Sequence, residues 1–148
     1  MEKINFDSGV KTFKVNGRGI LRFNPSDPNL FKRFMEAVQK IKEIEHQQSQ
    51  EAQKINMKDD GAVEKSLQIM HEIDKRIKAI LNDVFGNEND FDAILEGVNL
   101  MAVATNGERV ISNLMDALLP IVEAGVDAYA ADEIKAAKKN REQRRASV

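Results

Sequence analysis

The stretch VKTFKVNGRGILRFNPSDP, residues 10–28, decides how this chain is read, because the pattern of its apolar residues changes partway along it. Up to Phe23 the apolar residues are β-formers in short runs (Phe13, Val15, Ile20, Leu21, Phe23). Between them stands Asn16-Gly17, two residues that tolerate positive φ and form the strongest short hairpin signal. A strict two-residue turn would pair Phe13 with Ile20 and spread apolar side chains over both faces. A five-residue loop over residues 16–20 instead sets Phe13 opposite Phe23 and Val15 opposite Leu21, with Lys14 and Arg22 on the other face. The spacing therefore predicts an antiparallel ribbon over residues 4–23, within a hairpin segment 1–24, with Phe13, Val15, Leu21 and Phe23 on its buried face. An isolated hairpin is marginal in water, so the ribbon has to lie on helices or extend another chain's sheet. Beyond Phe23, Pro25 and Pro28 end the ladder, Asp27 can accept from a first helical turn, and Pro28 suits the first helical position.

Working outward, Leu30, Phe34, Ala37, Ile41 and Ile44 recur at helical spacing and predict an amphipathic helix that continues to about Ile55, with its stripe thinning after Ile44. Residues 57–61 form a linker, with Asp59 or Asp60 available to cap a second helix over 62–85 that Gly86 ends. Its core face reads Val63, Leu67, Met70, Ile73 or Asp74, Ile77, Leu81 and Val84, with Glu72–Arg76 and Asp74–Lys78 as ion pairs on the wet face. Residues 28–85 thus make an antiparallel helical hairpin. A short turn after Asp90 carries Phe91, Ile94 and Leu95 and stops at Gly97; Leu100 to Ala104 are a short apolar stretch. A last helix starts near Glu108 with Val110, Ile111, Leu114, Leu118, Leu119 and Val122 inward, and Pro120 must kink or end it. The expected fold is mainly α (α+β): an N-terminal β-hairpin packed on a bundle of about four helices. It forms a single domain, 1–134, with C-terminal helices over 89–134 and a basic flexible tail over 135–148.

Composition excludes more chemistry than it suggests. The chain has 148 residues, no Cys, two His and a formal charge of −2. Without Cys there is no disulfide framework, thiol nucleophile or thiolate metal site, and two His leave little for a histidine-based centre. GRGILR, residues 17–22, begins like a dinucleotide loop but ends in Arg22 and joins two strands. The His71-Glu72 pair lacks the second histidine of a zinc-protease motif, since position 75 is Lys. An EF-hand register from Asn87 puts Phe91 where an oxygen ligand is needed and Asp92 where the glycine turn is needed, so capping explains those residues better. The serines have only two histidines to partner them. These readings give no catalytic residue, no cofactor and no metal, and so a protein that is not an enzyme. Apolar runs are too short to span a membrane and the first twenty residues lack a signal peptide's apolar core, which places the chain in the cytoplasm. From residue 130 onward six basic residues (Lys135, Lys138, Lys139, Arg141, Arg144, Arg145) stand against three acidic ones, a local charge of +3. With no aromatic residue after Tyr129 for stacking, this segment reads as a partner-binding tail, and nucleic acid is the lesser reading.

Three segments carry a family resemblance: INFDSGVKTFKVNG at residues 4–17, FNPSD at 23–27, and VFG at 84–86 before the final helical region. Together they resemble a family of small proteins from phages and prophages of Gram-positive bacteria, grouped with the tail assembly chaperones of long-tailed phages. The likeness covers most of the chain and is strongest over residues 4–34 and 84–119. It implies a non-enzymatic protein of the bacterial host cytoplasm that binds the tape measure protein and keeps it soluble until the tail tube protein polymerises around it, with self-association expected. It also implies that residues 130–148 form a junction at which ribosomal frameshifting adds a second module. Two other classes are a structural virion subunit, marked by presence in finished particles, and a phage-encoded regulator that binds a host protein, marked by a gene outside the tail module.

Overall fold

The computed structural model describes residues 1–146. The chain is mainly α with one β-hairpin. Strands β1 (Lys11–Val15) and β2 (Gly19–Phe23) precede α1 (Pro28–Gln53), α2 (Ala62–Phe85), the single-turn α3 (Phe91–Ile94) and the 37-residue α4 (Val110–Ala146).

Asn16 (φ 51°) and Gly17 (φ 79°) form the hairpin turn, which the Arg18 N–H closes by donating to the Val15 carbonyl at 3.2 Å. The loop has three residues, so Phe13 faces Leu21 and Val15 faces Gly19, which corrects the five-residue loop and its pairing of Phe13 with Phe23. The Asn-Gly pair takes the two positive-φ positions of a tight turn. Arg18, added to it, restores the parity that a two-residue loop would lose. Because the correction is a slip of two residues, the apolar face is the expected one: Leu21 and Phe23 are buried, Phe13 and Val15 half-buried, Lys14 and Arg22 exposed. The ladder begins at Lys11 and not at residue 4. Residues 1–10 lie outside it, with Ile4 and Phe6 exposed.

Asp27 caps α1 as its sequence suggests, its Oδ1 accepting from the Asn29 N–H at 2.9 Å with Pro28 next in line. Leu30, Phe34, Ala37, Ile41 and Ile44 are all buried on one stripe. Helix α2 ends at Phe85 before Gly86, but its start differs from expectation: Gly61, in the left-handed region, is the cap residue, and neither Asp59 nor Asp60 bonds the first turn through its side chain. Val63 and Leu67, expected in the core, are exposed. The far end of α1 carries His46, Gln47, Gln48 and Glu51, so no apolar side chain from it covers them.

Five of the seven phenylalanines hold the hairpin to the helices. Phe13 stacks on Phe23 with ring centroids 4.8 Å apart, Phe23 meets Phe85 edge-on at 4.9 Å, and Phe85 touches Phe91 at 5.4 Å and Phe34 at 6.5 Å. Such contacts add to the area the rings bury. Pro120 neither ends α4 nor sits at an inner face. It and Asp116, whose carbonyl it leaves without a donor, are both exposed, so water can take the missing partner's place. Gly125 is buried where α4 crosses the chain just before α1, and a Cβ there would overlap the Pro25 carbonyl. Past this crossing α4 leaves the body. Residues 135–146, expected as a flexible tail, are helical and exposed; the last two positions of that expected tail lie outside the described residues.

Candidate partner-binding surfaces

Among the described residues the one concentration of buried charge is a knot around Lys78. Asp74 and Lys78, four residues apart, were expected on the wet face of α2, but both are buried. The Lys78 ammonium donates to Asp74 Oδ2 at 2.9 Å, to Asp92 Oδ1 at 2.7 Å and to the Val98 carbonyl at 2.9 Å, while Asp74 Oδ1 accepts from the Leu100 N–H at 2.8 Å. Burial works against the charge on Lys78, but its hydrogen bonds to the two carboxylates prevail and hold its pKa above the ordinary lysine value. The same hydrogen bond draws the Asp92 carboxyl below the usual carboxylate range. With all three donors occupied, Lys78 is held as a cation at neutral pH and is a poor nucleophile. It ties α2, α3 and the loop over 98–100 together. The sequence signal for this knot is that Asp74 and Lys78 sit beside Ile73 and Ile77 on the inward face of α2.

Asn89 performs a second splice that no sequence pattern announces. Its Oδ1 accepts from the Arg22 N–H at 2.9 Å, and its Nδ2 donates to the carbonyls of Arg22 and Phe85 at 2.8 Å each. A buried side chain thus pairs with the outer edge of β2 as a neighbouring strand would. Asp90, next along, caps α3 by accepting from the Asp92 N–H at 3.1 Å.

Between α1 and α4 runs a groove of about 480 Å³. Phe34, Met35, Val38, Ile41, Ile111, Met115 and Leu119 make it apolar, and Lys42, Glu45, Asp116 and Glu123 stand on it as one cation among three carboxylates. Met35 and Leu119, the latter expected inward, are 42% and 40% exposed. The arrangement arises because α4 reaches α1 with Ile111, Leu118 and Val122 and leaves the adjacent stripe of each helix uncovered.

The six basic residues singled out from the sequence all lie on the protruding part of α4 and are exposed. Helical spacing brings Lys135, Lys138, Arg141 and Arg145 along one side. Tyr129, nearer the body, donates to Glu133 one turn on, which raises the phenol's pKa. Nothing brings the basic residues to the groove of their own molecule, since α4 carries them away from it.

Among the described residues no cluster of three or more His, Cys, Asp or Glu side chains could hold a metal ion, and no helix is long and apolar enough to cross a membrane. No family model matches the chain, and no curated protein and no solved structure is similar to it.

Proposed function

We propose that this chain is a non-enzymatic tail assembly chaperone of a long-tailed phage, working in the bacterial cytoplasm and holding an amphipathic helical stretch of the tape measure protein until the tail tube protein assembles around it. The observation that carries this reading is the open α1/α4 groove. An apolar trough between two helices accepts one face of a third helix through anchors at successive turns. Three carboxylates to one lysine on its walls favour an occupant whose apolar stripe is flanked by basic residues. Met35 and Met115 supply adaptable packing for a partner whose sequence varies along its length. In this reading the basic face of the α4 extension contacts the tail tube protein.

The test is co-expression with the phage's tape measure protein. Met35→Asp and Leu119→Asp alter exposed walls of the groove and should leave the melting temperature nearly unchanged. The parent should raise the soluble fraction of the tape measure protein and each variant should abolish that effect. A parent that leaves tape measure solubility unchanged, or variants that still raise it, would overturn the groove as the holding site.

A further inference from the structure

The hairpin has two edges, and only one is finished. Asn89 takes both backbone groups of Arg22, which fixes the Thr12–Arg22 pair as one whose backbone groups point away from each other. By that alternation the N–H and C=O of Thr12 and Lys14 point outward from β1, and among the described residues no hydrogen bond reaches them. Both residues are exposed.

The segment that leads into this edge is equally unfinished. Residues 1–10 belong to no strand or helix, and Ile4 and Phe6 are 89% and 81% exposed. Two such side chains two residues apart are the pattern of one face of a strand. The arm is nevertheless fixed at its root: Asn24 Nδ2 donates to the Ser8 carbonyl at 3.0 Å, and the Gly9 N–H donates to Asp7 Oδ1 at 2.8 Å with Gly9 at φ 75°. With Ser8 held by Asn24, residues 1–7 are exposed and, among the described residues, make no hydrogen bond to β1.

We propose that the arm of one molecule adds antiparallel to the outer edge of β1 in a second copy, reciprocally, and builds a four-stranded sheet across a two-fold axis near Gly9. One antiparallel register satisfies both orphans at once, since an arm that reaches the partner's β1 brings the partner's arm onto its own, as an isologous contact requires. The two surfaces belong to one chain, so the occupant is another copy and not an unrelated peptide. Main-chain pairing supplies the outward groups of Thr12 and Lys14 with partners, and Ile4 and Phe6 gain cover. This inference stands apart from the groove and its ligand.

Sedimentation equilibrium of the full chain tests it. The parent should be a dimer, and deletion of residues 1–7 should weaken the dimer at least tenfold while leaving the melting temperature of the helical body in place. Lys14→Pro removes one outward N–H without touching the ladder to β2, a change an edge strand tolerates, and should weaken the dimer in the same way. A monomeric parent, or a dimer that persists after the deletion or after Lys14→Pro, overturns the proposal. In the last two cases the association lies elsewhere, on the α1/α4 groove or the α4 extension.

Discussion

Lys78 shows how a single side chain can stitch three segments that sequence patterning treats separately. Its replacement by Met keeps the bulk but leaves Asp74 buried with one oxygen unpaired, and should cost about 3–5 kcal/mol in urea unfolding. The pH dependence follows from the two shifted groups. The raised pKa of Lys78 makes its stabilisation complete below the ordinary lysine range and lost as pH climbs through the shifted value. The lowered pKa of Asp92 makes its share present above the ordinary carboxylate range and lost as pH falls through its own shifted value. These two groups should therefore add no slope to a plot of melting temperature against pH between these limits, and Lys78→Met should remove the alkaline decline assigned to this group. Asp74 and Lys78 could have been read from the sequence, because they sit beside Ile73 and Ile77. Their four-residue spacing points the other way, because charged residues so spaced are usually solvated. Asn89 could not be read at all: its role depends on an edge that lies 67 positions away in sequence.

The elements were legible in proportion to how local their causes are. Asp27-Pro28 and Gly86 mark helix ends through contacts within a turn, and both marks hold. The hairpin's face was readable from alternation, whereas its register depended on two residues of loop length that composition does not specify. Phe13→Asp tests the face. It places a charge against the Phe23 ring and should cost about 2–4 kcal/mol, measured as a shift in the unfolding midpoint; a variant that unfolds like the parent would show that Phe13 is not packed. Pro120 was the least readable mark, since a proline inside a helical pattern costs about 3 kcal/mol whether it ends the helix or is carried within it, and only the packing of the rest of α4 decides which. Among the described residues, truncation after Ile134 removes only exposed helix, so stability should change by less than about 0.5 kcal/mol. Limited proteolysis should remove this same segment before it cuts the body.

At the scale of the whole molecule, the hairpin, α1, α2 and α3 form one packed body, while α4 is held to it, chiefly at α1, along about half its length. The groove exists because of that partial attachment, and no periodicity in either helix alone could have disclosed it. Its acidic walls make a further expectation: affinity for a synthetic amphipathic helix with basic flanks should fall several-fold between 50 and 500 mM salt, as seen by calorimetry, because the rim charges are exposed and readily screened. The contact between Gly125 and Pro25 then acquires a mechanical meaning. About 22 Å of α4 lies before that crossing and about 31 Å after it, at ~1.5 Å per residue. The crossing acts as a fulcrum under a lever, and its height is set by a hydrogen where any other residue would put a carbon. Raising it by about 2 Å, as Gly125→Ala would, lifts the far end by about 5 Å and opens the groove on the near side, so that one methyl group alters both the seat for a partner and the reach of the charged arm.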